Sequence, residues 1–279
     1  MKEPRLGHIN FINCLPLTYG LTHGGFGQGL TVERNIPARL NEQMIAGLLD
    51  ASSVSSIVYA RNCERLLILP DVSISANGAL ESILLVAKRP IDQLKDARIA
   101  LTAKSATSHC LLKIILHNAY KASPEYFISG ISLEAGVLEE ADAVLFIGDE
   151  ALYNYHNRHD EYYYYDIGAE WKKLTGLRMV YALWVIDRRF AADYPNHVHT
   201  LYESVTRGFA YGLKHLNDAA ATQIGKVPFT TQQITHYIGL LNYQFTPAHW
   251  QGLLTFYQLG HELGLIEDVP DLEFAEVVK

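Results

Sequence analysis

Cysteine is scarce. The 279 residues contain three, Cys14, Cys63 and Cys110. The number is odd and the spacing wide, so neither a disulfide framework nor a closely paired structural zinc site is expected, and a reducing compartment fits. Charge is also sparse, at 19 %, and its balance is acidic: 23 Lys+Arg against 30 Asp+Glu leave a formal net charge of −7. That balance excludes a general nucleic-acid or anionic-membrane binder, although a local cluster of donors can still take an anionic substrate. No stretch reaches about 18 apolar residues, so no transmembrane helix is expected. Residues 1–11 meet charges and turn residues before any apolar run, so no signal peptide is visible and a cytoplasmic protein is the expectation. No Gly-x-Gly-x-x-Gly follows a strand, and there is neither a P-loop nor His-Glu-x-x-His. Residues 24–29 are glycine-rich with none of these spacings. Among twelve histidines the closest pairs, His197 with His199 and His156 with His159, lack the neighbours of a zinc motif. Neither a nucleotide cofactor nor a metal is expected.

Apolar residues make up 49 %, which supplies a core without staples and excludes disorder of the whole chain. Strands are expected over 6–11, 50–58, 66–69, 83–87, 98–101, 143–147 and 180–186. The apolar run 83–87 has the mark of a strand buried on both faces. Pro37 opens a helix with Leu40, Met44, Ile45, Leu48 and Leu49 on one face. Another helix follows residues 105–108 and carries Leu111, Leu112, Ile114, Ile115 and Leu116. Beyond Arg188 the chain is mostly helical. Thr230 or Thr231 is placed to cap one helix, and Thr246 to cap another that starts at Pro247. Residues 20–29 read as a loop or a loosely capped helix end, 153–165 as a loop with a short strand, and 171–176 as a turn that could close over a cleft. Strands alternating with helices indicate an α/β fold. The pattern restarts near residue 89, which suggests two lobes. One holds 1–86 plus 184–279, the other 87–183, with a ligand cleft between them.

Several short segments carry chemistry. Ser105, Thr107 and Ser108 place three hydroxyls at a helix N-terminus, either an anion site or simple capping. Asn13 follows the first strand, where α/β lobes bind ligands, and Asn is also a common turn residue. Ser82 stands at the start of the buried strand 83–87, directed into the cleft or merely following a turn. Gly148 and Asp149 follow another strand, where the carboxylate either orients a substrate hydroxyl or caps a helix. Thr175 and Gly176 end the segment 171–176. Cys14 has no base spaced to activate it and reads as a buried thiol.

Six segments taken in order resemble a known family. They are Leu6, Gly7, Ile9, Phe11, Asn13, Pro16 and Leu17; Ile36, Pro37, Ala38 and Leu40 with Gly47, Asp50, Ser55 and Ser56; Leu69 to Ile74 running into Gly78, Ser82, Leu84 and Leu85; Ser105, Thr107, Ser108, Leu111 and Leu112; Ile147 to Leu152; and Asp166, Ile167, Gly168, Glu170 and Trp171 with Thr175, Gly176 and Leu177. Together they resemble the chorismate dehydratases of the futalosine route to menaquinone. The resemblance implies a two-lobed periplasmic-binding-protein-like (type II) fold and loss of water from chorismate to give 3-[(1-carboxyvinyl)oxy]benzoate without cofactor or metal. It puts Asn13 and Ser82 on the key active-site positions. Ser56, Ser105, Thr107, Ser108, Gly148, Asp149, Thr175 and Gly176 fall on substrate-binding positions. The sequence departs from the family pattern at Ala106, where Arg is usual, at Cys14, and at Val58.

The residue types suit that reaction. Removing the ring proton at the ether-bearing carbon develops charge on the conjugated ring carboxylate, which hydroxyl and backbone donors stabilise. Loss of the neighbouring hydroxyl then yields an aromatic ring, so orientation and water exclusion are the main requirements. No side-chain base stands out, which leaves the substrate's own enolpyruvyl carboxylate as proton acceptor, held by Asn13 and Ser82. Two other readings share the fold: a non-catalytic binder of a small aromatic or carboxylate anion, and a 1,4-dihydroxy-6-naphthoate synthase-like enzyme.

Overall fold

The computed structural model describes residues 3–103, 105–130 and 132–277. Eleven strands are found among them: β1 (Arg5–Ile9), β2 (Thr31–Asn35), β3 (Ala51–Ser55), β4 (Leu66–Ala76), β5 (Ile83–Ala87), β6 (Arg98–Leu101), β7 (Glu125–Ile128), β8 (Ala143–Ile147), β9 (Tyr163–Asp166), β10 (Met179–Asp187) and β11 (Leu241–Phe245). They form two sheets. The first has the order β11-β4-β10-β3-β1-β2 and the second β7-β6-β8-β5-β9. In the first sheet β1 is parallel to β2 and β3, whereas β10 runs antiparallel to β3 and β4. In the second, β6 is parallel to β7 and β8 while β5 is antiparallel to β8 and β9. Helices cover both sheets, which gives the two-lobed periplasmic-binding-protein-like architecture. All of β5, β8 and β10 is buried, as expected for strands covered on both faces.

Sheet membership places the crossings between lobes at 77–82 and 176–178, since β5 lies wholly in the second sheet and β10 wholly in the first. The divisions read from sequence at 86/87 and 183/184 cut through these two strands. Hydrophobicity alone reports that a strand is buried, not which sheet it joins.

Several local expectations shift. The loop read at 20–29 starts later, because the helix Leu15–His23 includes Gly20. The helix opened by Pro37 ends at Ile45; Leu40, Met44 and Leu49 are buried, but Ile45 and Leu48 are exposed. The strand expected over 50–58 stops at Ser55 and becomes the helix Ser56–Ala60. Residues 171–175 belong to the helix Ile167–Thr175 with Trp171 fully buried, so they are not a mobile turn over the cleft. Thr230 caps the helix Thr231–Leu240 in a capping box with Gln233, and Thr246 does the same with His249 at Pro247–Glu262.

Candidate active site

The cleft between the sheets contains a cavity of about 570 Å³, counting the part open to solvent. It is lined by Asn13, Ser82, Ser105, Thr107, Ser108 and Gly148 of the residues singled out from sequence. Ser55, Tyr181 and Tyr237 add further hydroxyls, and Phe11, Ile74 and Leu80 add apolar surface. Among the described residues the lining includes no carboxylate, imidazole, ammonium or guanidinium group.

Asn13 lies in a short 3-10 turn, Ile12–Cys14, between β1 and the helix Leu15–His23. Its backbone carbonyl accepts a 2.7 Å bond from the Tyr243 hydroxyl, while its side-chain Oδ1 is buried without a hydrogen-bond partner among the described residues. Asp149 reaches across from the other lobe and accepts from the Ile12 N–H at 3.1 Å. The turn carrying Asn13 is therefore held from two sides.

Ser82 enters from the first crossing. Glu81 before it takes a left-handed conformation, φ 64°, which costs a non-glycine residue on the order of 1–3 kcal/mol unless its surroundings enforce it. Asp166 enforces it by accepting from the Leu80 N–H at 3.0 Å and the Glu81 N–H at 2.6 Å. The Ser82 carbonyl accepts from the Gly148 N–H at 2.8 Å, locking the start of β5 to the end of β8. Gly148 has φ 64°, ψ −141°, and a Cβ there would come within 3.0 Å of the Phe11 ring. The position requires glycine on both counts. Tyr237 donates to Ser82 Oγ at 2.8 Å. Burial raises the Tyr237 phenol far above its ordinary range, so it remains a donor at any working pH. Ser82 Oγ is the acceptor in this bond, which leaves its own proton available for a further bond at the cavity it lines.

The hydroxyl cluster divides its labour. Ser105 caps the helix Ala106–Tyr120, accepting from the Ser108 N–H, and its Oγ lies 3.1 Å from Ser108 Oγ. Thr107 accepts from the Ile57 N–H at 3.2 Å and sits 3.3 Å from Ser56 Oγ, so it ties one lobe to the other as well as lining the cavity. First-turn N–H groups and the positive end of the helix dipole add to the donor field.

Four expected substrate contacts lie elsewhere. Ser56 is fully buried and donates to the Val180 carbonyl at 2.8 Å; Ser55, one residue earlier on the strand, lines the cavity instead. Asp149 grips the Asn13 turn. Thr175 donates to the Trp171 carbonyl and accepts from the Leu177 N–H. Gly176, at φ 74°, ends the helix. Its carbonyl accepts from Lys172 Nζ, which also donates to Asn77 on the first crossing. Thr175 and Gly176 thus brace the crossings rather than the cavity.

Cys14 is fully buried, and burial raises its thiol far above the ordinary range. Iodoacetamide at neutral pH is accordingly expected to leave turnover unchanged, because thiolate is the reactive form; time-dependent inactivation traced by peptide mapping to Cys14 would contradict this. Among the described residues no group of three or more His, Cys, Asp or Glu is arranged to hold a metal ion.

Residues 4–262 match the family described as Menaquinone biosynthesis. The chain belongs to this menaquinone-biosynthesis family. A chorismate dehydratase from Thermus thermophilus is 32 % identical over 270 residues, covering 92 % of this chain and 94 % of that relative. A 1,4-dihydroxy-6-naphtoate synthase from the same organism is 25 % identical over 229 residues, covering 78 % of each. Among solved structures, the periplasmic aliphatic sulphonate binding protein of Escherichia coli superposes with a TM-score of 0.72 at 13 % identity, covering 100 % of this chain and 94 % of that one. At that identity the likeness shows the fold alone. This menaquinone-biosynthesis family member therefore carries its cleft on a binding-protein framework.

Tyr181 and Tyr237 were not legible as site residues. Tyr181 sits in an apolar strand and Tyr237 on the apolar face of a helix, so both read as core.

Proposed function

We propose that this protein is a hydro-lyase that removes water from chorismate to give 3-[(1-carboxyvinyl)oxy]benzoate in menaquinone biosynthesis by the futalosine route. The observation that carries the reading is the cavity: Asn13 and Ser82 face it together with the 105–108 hydroxyls, and the described residues that line it bring no carboxylate, imidazole or cation. Such a lining suits a substrate that brings its own carboxylate as base and gains aromaticity on losing water. The enolpyruvyl carboxylate takes the ring proton while Asn13 and Ser82 hold it within reach. Donors at 105–108 stabilise the charge that develops on the ring carboxylate. The lower identity to the naphtoate synthase, over a smaller share of the chain, favours this reading over the later pathway step. No helix among the described residues is long and apolar enough to cross a membrane, and a cytoplasmic location fits a reaction on a biosynthetic intermediate.

Incubation of the purified protein with chorismate tests the proposal. The expected product is lighter by one water and absorbs as a substituted benzoate. Chorismate that raises the melting temperature yet is recovered unchanged would mean a binding role.

The pH dependence follows from the same lining. Tyr181 and Tyr237 are both pushed far above the ordinary phenol range by burial, and the substrate carboxylates are ionised above about pH 5. The profile of kcat/KM is therefore expected to be flat from about pH 6 to 9. An inflection near neutrality would require a side-chain base and would refute proton transfer to the substrate's own carboxylate.

A further inference from the structure

Tyr181 occupies an irregular point in the sheet. In the pairing of β10 with β4, Val180 lies opposite Ser75 and Ala182 opposite Ile74, and the register shifts between them. Tyr181 is the extra residue of this β-bulge, a device that re-aims a side chain out of the regular alternation. The side chain lines the cavity and is only 9 % exposed, yet its hydroxyl has no hydrogen-bond partner among the described residues. That hydroxyl lies against Gly168 at the start of the helix Ile167–Thr175, where an added Cβ would approach it to 2.6 Å. It therefore reaches across the cleft from the first lobe to the second. A buried hydroxyl left unpaired costs stability and calls for an explanation. A tyrosine serving only the core would be equally well packed, and more stable, as phenylalanine.

We propose that the Tyr181 hydroxyl is a substrate-binding donor that hydrogen-bonds a carboxylate oxygen of the bound substrate. This inference rests on the chorismate reading above. Among the described residues the cavity lining offers a dianion neutral donors, and these come from more than one side. The 105–108 hydroxyls and helix terminus supply one set, and Tyr181, on a different strand, supplies a second. An anionic oxygen is the preferred acceptor for such a donor, since charge-assisted bonds are shorter and stronger than neutral ones. The phenol keeps its proton throughout, because burial with Asp166 and Tyr237 nearby disfavours the phenolate.

Tyr181→Phe tests this through two readouts of opposite sign. The ligand-free variant is expected to melt at or above the temperature of the parent, since only an unpaired hydroxyl is lost. Its kcat/KM for chorismate is expected to fall roughly ten- to hundredfold, the loss typical of one hydrogen bond to a charged group. Stabilisation by added chorismate should shrink in parallel. A lower melting temperature of the ligand-free variant would show that the hydroxyl has a structural partner and would overturn the proposal. So would an unchanged kcat/KM. A parent protein that neither converts chorismate nor is stabilised by it would overturn the substrate reading itself, and the carboxylate assignment with it. That result is separable from the others because it appears before any substitution is made.

Discussion

Ser82→Ala is expected to lower kcat for chorismate about 10²–10³-fold, the usual cost of removing one preorganised donor from a reacting centre, and Asn13→Ala is expected to do the same. Both residues are held in place through backbone contacts on either side. Ser82 follows a strained Glu81 that Asp166 fixes through two backbone N–H groups, and Gly148 clamps its carbonyl. Asn13 sits in a turn fixed by Asp149 on its N-terminal side and by the Tyr243 hydroxyl on its own carbonyl. These contacts are made by backbone groups, so truncating either side chain leaves them intact, and the fold should survive both changes. The Tyr237 hydroxyl bonds the Ser82 side chain itself, and this allows a sharper test. Tyr237→Phe frees the Ser82 hydroxyl to rotate and should cost a few- to tenfold in kcat, the scale of one neutral hydrogen bond. In the Ser82→Ala background the same change should cost almost nothing more, because the two residues then act as one unit. Steady-state rates for the four proteins, with circular dichroism as a check on folding, decide the matter. Turnover by Ser82→Ala or Asn13→Ala within twofold of the parent would remove that residue from the reacting centre, and additive losses in the double variant would show that Tyr237 does not act through Ser82.

The contrast between what could be read in the chain and what could not has a physical pattern. Strands β5, β8 and β10 are buried throughout, so their apolar runs identify them without any tertiary knowledge. The missed strands are β2, β7 and β11. The first is the polar stretch Thr31–Asn35 at one edge of its sheet, largely exposed, and it is ordered by pairing with β1 rather than by its own pattern. The other two are also edge strands of four and five residues. Asn13, Ser82, Ser105 and Gly148 could be nominated because each stands where a strand ends or a helix begins, and those places have local signatures. Ser56 shows the limit. The strand stops at Ser55 and a helix begins, so adjacent serines part company: one faces the cavity while the other bonds Val180 in the seam between lobes. A shift of one residue exchanges such roles, and composition carries no trace of it. Tyr181 was hidden for a related reason, since a bulge is a property of two paired strands.

The C-terminal helices add little to the motif pattern, yet one of them packs closely against the helix that follows Asn13. Helix Pro195–Lys214 packs against Leu15–His23 with glycines at the contact: a Cβ on Gly20 would fall 2.2 Å from the Gly208 carbonyl oxygen, and a Cβ on Gly212 would fall 1.8 Å from that of Pro16. Both obstacles are backbone, which cannot rotate away. Gly212→Ala is therefore expected to destabilise the protein by about 2–3 kcal/mol, the upper part of the range for overpacking. The opposing gain in helix propensity is at most about 1 kcal/mol, so the clash decides the sign. Relief requires Pro16 to move, and Pro16 is three residues from Asn13, so the variant should also lose turnover at temperatures where it remains folded. Gly239→Ala provides the control. It lies in the helix Thr231–Leu240 with nothing within 4 Å of an added Cβ, and only the propensity gain remains, on the order of 0.5–1 kcal/mol in favour of the variant. Urea unfolding of the two variants should move the midpoint in opposite directions from that of the parent. Equal stability of Gly212→Ala and the parent would mean that the two helices are farther apart than described, and that the seat of Asn13 is set by something other than this crossing.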